Sequence, residues 1–525
     1  MSQHPETYDV LVVGAGPAGL ATATGLARAG IRVLVVDRHG GTSIFPKAAA
    51  VRPRTMEILR SWGLGQRVDA AGQAVRLELA VSHVLAGPVV ATESLGAPDA
   101  QYVSTMSPTP FAFVPQDRLE PVLLDHLLER GGSVRFRTEL LGFELDDHGV
   151  RARLRLRDGG APTYQVRARY LVGADGPRSS VRRALGIDVD HLGSEGGHRT
   201  ALFAADLDRV VPDPPFALQW VTAPGAEGLF VASGRHRWVY DWDEDARGDD
   251  LAAQTPERVT ARIRAAAGLP ALDLRLLGTF AWTFGAEIAS RYRSGPAFLV
   301  GDAAARTTPR RGTGMNTGIA AAHNLAWKLA WVLRGWAGEA LLDTYEEERR
   351  PVGLANALRS LQPREVDDEP GIEDFGVPYA SAAIASSDRV AASQLPGEVA
   401  VPGLRAPHAW LMITGRRVST LDLFDGRLTL LTGPAGDHWR AAADRLAGDD
   451  LPLAVLRFGP DVPDPDGSLA HRYGVGGQGA VLVRPDGYVA WRTGIPRADP
   501  VSVLGSAVDL ATGRMPRSAV AGVPA

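Results

Sequence analysis

The sequence predicts an α/β chain of more than one domain, and three glycine-rich turns predict it. They are GAGPAG at 14–19, GADGPRSS at 173–180, and GDAAARTTPRRGTGMNTGIAAAHNLAWK at 301–328. Each follows a short apolar run that reads as a buried strand. Loops this rich in glycine let backbone N–H groups approach a ligand, because no Cβ stands in the way. A helix that follows aims its partial positive end at whatever the loop holds.

Residues 8–13 (YDVLVV) read as a buried parallel strand, GAGPAG opens the helix ATATGLARAG, and IRVLVVD is a second strand ending at Asp37. This is a βαβ unit with its glycine turn and terminal acid placed as the dinucleotide fingerprint requires. In such a unit Gly14 permits the tight turn, Gly16 admits a pyrophosphate, and Gly19 allows close helix–strand packing. Pro17 and Ala18 begin the helix, and Asp37, with Arg38 after it, is placed to receive ribose hydroxyls. Residues 115–130 form an amphipathic helix, and the alternation between 133 and 172 reads as a strand meander. From about 187 to 295, short aromatic strands such as FALQWV and RWVYDWD predict a separate sheet. AFLV at 297–300 returns to a buried strand, and Leu325, Leu329, Val332, Leu333 and Trp336 share one helix face. Residues 362–398 are acidic and dotted with Pro, Gly and Ser, as in a linker. Strands and a helix over 399–515 predict a small α/β domain.

Composition narrows the function. The chain has 525 residues, 45% hydrophobic and 22% charged, ordinary for a globular enzyme. A net charge of −4 and the lack of a basic block speak against nucleic acid. There is no cysteine, which removes disulfides, thiolate metal sites and thiol catalysis; no metal is expected. Lys47 and Lys328 are the two lysines, so arginine carries nearly all positive charge. The segment before the apolar residues 10–29 has no positive charge, and no run of about 18 apolar residues exists. A cytoplasmic protein without a membrane span is expected.

The three motifs in this order resemble the FAD-dependent aromatic hydroxylases, single-component flavoprotein monooxygenases related to p-hydroxybenzoate hydroxylase. The resemblance implies an FAD-binding domain from 1–186 plus 296–361 and a substrate sheet domain from 187–295 with part of 75–112. It also implies a thioredoxin-like domain at 399–515, here without cysteines. FAD would be held by Gly14, Gly16, Pro17, Ala18, Gly19, Asp37 and Arg38, with Asp302 on the ribityl chain. Gly312, Gly314, Met315 and Asn316 would face the N1–C2=O edge. Lys47, Arg52 and Arg54 either contact the cofactor or form a solvated basic loop. Gln116, beside Arg118, matches a glutamine near the cofactor, and Asp175 either contacts FAD or caps the next helix.

The implied reaction is hydroxylation of an aromatic, polycyclic polyketide-type metabolite by O2, through a flavin C4a-hydroperoxide, with NAD(P)H as electron donor. Baeyer–Villiger chemistry, or an FAD-holding binder that no longer oxygenates, are the alternatives. Pro309 and Arg311 are the candidates beside the reacting part of the ring. Three departures set the chain apart: Ala305 where relatives have histidine, Arg311 in place of a glycine, and Ala321 in place of an aspartate. Of the aromatic set Phe203, Phe216, Trp220, Trp238, Tyr240, Trp242, Trp282 and Phe284, most are expected in cores. Trp220, Trp238, Tyr240 and Phe284 are the pocket candidates. A homodimer is compatible with all of this.

Overall fold

The computed structural model describes residues 6–95, 100–157, 162–243, 255–362, 375, 377–385, 399–447 and 451–515. Most of the expected linker 362–398 lies outside these. Its described piece is packed: Tyr379 N donates to Gly403 O (2.8 Å) and Ala385 N to Ala490 O (2.9 Å). Tyr379, Ala383 and Ile384 are buried there.

The first sheet has the parallel core that the valine-rich runs predict. Glu6–Val13 lies between Val33–Val36 and Thr163–Gly173, with Ala297–Leu299 and Ser133–Arg135 outside them. Val10, Leu11 and Val12 are fully buried because both faces of this sheet are covered. Thr138–Asp146 and Gly149–Leu156 add the expected antiparallel meander. The second sheet has eight strands, among which Leu274–Ala289, Val189–Ala205 and Arg237–Asp243 lie side by side. Arg76–Ser82 and Val89–Ser94 complete one side, and the short strand Ala305–Arg306 ends the other. The C-terminal sheet runs Leu453–Arg457, Leu428–Thr432, Ala480–Val483, Val489–Thr493. Its Leu428 and Leu430 pack with Trp439 and Leu504 on one face, while Leu431, Val481 and Val483 pack on the other.

The helix Gly314–Leu333 departs from expectation. Burial is not confined to the one face expected: residues on every side are buried, including Asn324, Lys328 and Trp331, and Trp336 lies beyond the helix end. One side meets the helix Pro17–Arg28 so closely that a Cβ on Gly25 would lie 2.7 Å from Ala326. The C-terminal domain covers another: Trp327 Nε1 donates to Asp486 (3.1 Å) and Trp331 Nε1 to Gly426 O (3.3 Å). Among the described residues no helix is long and apolar enough to cross a membrane.

Candidate active site

The three glycine turns converge. Gly14 has a φ of +110°, and a Cβ there would lie 2.3 Å from Ala174 O in the second turn. A Cβ on Gly19 would lie 1.9 Å from Gly14 O, so this glycine is needed for folding. Ala18 in the first helix stands against Gly301 and Gly318 of the third motif. Gly16 is different: its backbone is extended, and nothing lies within 4 Å of an added Cβ. Two glycines therefore close the fold, while the space over Gly16 stays open beside a helix N-terminus that begins at Pro17. The crevice thus fits a dinucleotide pyrophosphate.

Asp37 closes one end of this crevice, with one carboxylate oxygen accepting from Ala15 N (2.7 Å) and the other from His39 N (2.8 Å). Arg38 beside it is exposed. Asp302 is solvent-accessible, yet protein surrounds it on most sides of the crevice. Those surroundings push its carboxyl up from the ordinary range, while Arg306 and Lys47 pull it back. Lys47 is exposed and its charge also reaches Glu120. Gln116 is buried and donates to Glu120 Oε1 (2.7 Å), whose other oxygen accepts from Ser43 N (2.6 Å). Glu120 braces the segment 43–47 from beneath, and burial raises its carboxyl.

Asn316 is a clasp as well as a loop residue. Its Oδ1 accepts from Arg52 N (3.0 Å), and its Nδ2 donates to Ala50 O (2.9 Å) and Gly312 O (2.8 Å). It ties the third motif to the strand Ala50–Val51. Gly314 stands beside Thr307, and Met315 packs half-buried against the core. Pro309 is exposed at the start of the turn Pro309–Arg311. Arg311 is buried at 8% exposure, so its guanidinium does not point into solvent. Ala305 is buried, and a Cβ on Gly353 would lie 3.0 Å from its methyl, so the glycine makes room for it.

Two candidates have their side chains engaged by other protein groups. Arg54 pairs with Glu57 (2.8 Å) and donates to Asp486 O (2.8 Å) of the C-terminal domain, so its charge is spent at a domain seam. The Asp175 carboxylate accepts from Ser180 N (2.6 Å), Ser180 Oγ (2.8 Å) and Val181 N (3.2 Å), so it holds the first turn of the helix Ser180–Ala184 beside the N-cap Ser179. The backbone of that turn meets Gly14, and the Ala174 methyl lies 3.1 Å from where a Cβ on Gly19 would sit.

The aromatic candidates divide by strand parity. Trp238 and Tyr240 point into the core that Phe203, Phe230, Trp242 and Ile263 share, and Tyr240 Oη donates to Ala226 O (2.8 Å). They are corrected to packing residues. Trp220 and Phe284 lie half-buried on the opposite face. There Phe280, Trp282 and Phe284 form a stripe, with ring centroids 4.3 Å apart between the last two. Phe45 stands 4.6 Å from Phe280, so the segment 43–47 rests on this face. Arg306, whose charge reaches Asp302, pairs with Glu287 (3.5 Å) and donates to Thr283 O on the strand that carries the stripe. The face also holds polar groups: Trp282 Nε1 donates to Thr200 Oγ1 (2.8 Å), Thr200 pairs with Asp241, and His198 stacks on Phe284 at 3.6 Å.

Sequence reasoning missed Phe280, His198, Thr200, Asp241 and Glu120. The alternation Phe280, Trp282, Phe284 at every second residue was the available signal for the stripe. No local pattern marks the polar group, because it is assembled from three strands.

Residues 7–360 match the FAD binding domain family model, and residues 399–514 match that of the aromatic-ring hydroxylase C-terminal domain. Aklavinone 12-hydroxylase of Streptomyces purpurascens is 39% identical, with 96% of this chain and 98% of the relative covered. Tetracenomycin B2 monooxygenase-dioxygenase of Streptomyces olivaceus is 38% identical over 94% of this chain and 97% of its own length. Among solved structures, aklavinone-11 hydroxylase in complex with FAD and aklavinone superposes with a TM-score of 0.88. It is 36% identical, covering 98% of this chain and 100% of that one. Open space over Gly16, the three converging turns and these matches lead to one conclusion: the chain belongs to the FAD-dependent aromatic-ring hydroxylases and is an FAD-dependent monooxygenase.

Proposed function

We propose that the chain hydroxylates a polycyclic aromatic polyketide with O2, drawing electrons from NAD(P)H in the cytoplasm. The observation that carries this reading is the half-buried stripe Phe280–Trp282–Phe284, joined to the cofactor crevice by Arg306 and Phe45. A planar polycycle fits such a face, since aromatic rings stack or tilt against one another at about 4.5–7 Å. The names of the polyketide-modifying relatives point the same way.

FAD, when bound, supplies the oxygen-transferring chemistry. The chain's residues hold and surround it. Backbone N–H groups of 14–19 would receive the pyrophosphate, Asp37 the ribose hydroxyls, and Asp302 the ribityl chain. The first turn of Gly314–Leu333 would turn its positive end toward the N1–C2=O edge and so favour negative charge there. Phe280, Trp282 and Phe284 exclude water from one side of the substrate. Thr200 and Asp241, beside His198, offer acceptors for a phenolic proton and so fix the ring's orientation.

The direct test is whether anthraquinone-type phenols accelerate NAD(P)H oxidation by the FAD-loaded protein and gain a hydroxyl. Product structure then separates hydroxylation from ester formation by ketone oxygenation. Acceleration without any oxygenated product, for every polycyclic phenol tried, would contradict the reading. Trp282→Ala should raise KM roughly tenfold through lost stacking and orientation, whereas Tyr240→Phe should leave KM unchanged and lower the melting temperature. Equal KM effects of the two would remove the parity argument. Arg311→Gly should keep FAD bound but lower its reduction potential, because a buried cation near the ring stabilises the reduced anion. An unchanged potential would make Arg311 a structural cation only.

A further inference from the structure

A cavity of about 40 Å³ lies at the seam where the first turn of Gly314–Leu333, the helix Thr344–Ser360 and the C-terminal domain meet. That exceeds the roughly 10–15 Å³ a single water requires. Among its lining residues are Arg54, Thr313, His323, Asn324, Arg349 and Asp486. Three buried polar atoms of this lining have no hydrogen-bond partner: Thr313 Oγ1, Asn324 Oδ1 and Arg349 Nε. Orphans gathered around one void indicate a missing polar occupant.

The charges say which kind. Arg349 is 4% exposed, and its guanidinium donates only to Tyr379 Oη (2.9 Å) and Thr317 O (3.3 Å). No carboxylate pairs with it among the described residues. Arg54 and Arg405 share the single carboxylate of Glu57. Asp486, the acid in the lining, is already occupied: it receives Arg484, Asn324 Nδ2, Trp327 Nε1 and Tyr488 N. His323 contributes no charge, since burial and the neighbouring Arg54 push its pKa down to about 3. A buried guanidinium without a counter-charge is costly, so the void favours an anion over water alone.

We propose that this cavity binds one small inorganic anion of the halide type, held by Arg349 Nε and the Thr313 hydroxyl. Asn324 Oδ1 accepts from a water beside it. The cavity shares Arg52, Asn316 and Thr317 with the flavin loop, and none of the stripe residues Phe280, Trp282 and Phe284 lines it. Because Thr313 precedes the first turn of Gly314–Leu333 and Arg349 holds Thr317 O, the anion steadies the flavin loop from behind.

Bromide is the probe. Crystals of the FAD-loaded protein soaked in sodium bromide should give an anomalous peak in the cavity, between Arg349 Nε and Thr313 Oγ1. In solution, sodium bromide should raise the melting temperature saturably by roughly 2 °C over sodium gluconate at equal ionic strength. Thr313→Val and Arg349→Met should each abolish the halide-specific rise; the valine change keeps the shape should the arginine variant fold poorly. A cavity holding only water at high bromide, or identical melting of the native protein in the two salts, overturns the proposal. A bromide peak without the solution effect marks binding at crystal concentration only, and overturns it equally.

Discussion

Gly16→Val should yield a folded, colourless protein. The substitution meets no neighbouring atom, and the backbone there is extended, so the fold tolerates it. The valine methyl groups instead fill the space in which a pyrophosphate would meet the backbone N–H groups. FAD content after purification should fall from near-stoichiometric to almost none, a loss of at least about 100-fold in affinity. Gly19→Val provides the contrast: its Cβ would strike Gly14 O, so it should fail to fold rather than merely lose FAD. Circular dichroism and FAD release on denaturation distinguish the two outcomes. A folded Gly16→Val protein with full FAD would mean that the first turn does not hold the cofactor.

Arg484→Met should be the most destabilising single change in the C-terminal domain. The Arg484 guanidinium lies fully buried and donates to both Glu348 oxygens, at 2.6 and 2.8 Å, and to Asp486. Lys328 joins the same Glu348 (2.8 Å). Burial alone would raise Glu348, but Arg484 and Lys328 hold it well below the usual carboxylate range. Burial pulls Lys328 down to about 8, so the arginine is the firmer partner of the two. Removing it leaves two buried carboxylates short of a cation, at a cost of about 3–5 kcal/mol. Lys328→Met should cost less, because Glu348 keeps Arg484. Denaturant unfolding of the FAD-loaded variants measures this, and an Arg484→Met protein as stable as the native one would contradict it. Truncation at residue 399 should be worse still, since it removes Arg405, Arg484 and Asp486 together. Loss of solubility should precede any loss of flavin reduction.

The βαβ unit was legible because Val10–Val13, the glycine turn and Asp37 lie within one local stretch, where strand burial and turn sterics act together. The same locality made the third motif and the small C-terminal domain readable. Strand parity was present in the sequence too, yet Trp238 and Trp220 carry the same residue type, and only pairing reveals which face each takes. Asp175 illustrates a second limit: an acid before Ser179 and Ser180 fits a cap and a cofactor contact equally well until hydrogen bonds are seen. The seam network was hidden for a topological reason. Lys328, Glu348 and Arg484 are distant in sequence, and a lysine in an apolar helix gives no sign of its partner.

Oxygen labelling tests the central claim most directly. The FAD-loaded protein, NAD(P)H and a polycyclic phenol are mixed under heavy-isotope O2, and the product is weighed by mass spectrometry. One heavy oxygen atom in the product, with NAD(P)H consumption that rises with the phenol, is the predicted result. Unlabelled, unchanged phenol from a protein that still binds FAD and consumes NAD(P)H would contradict it.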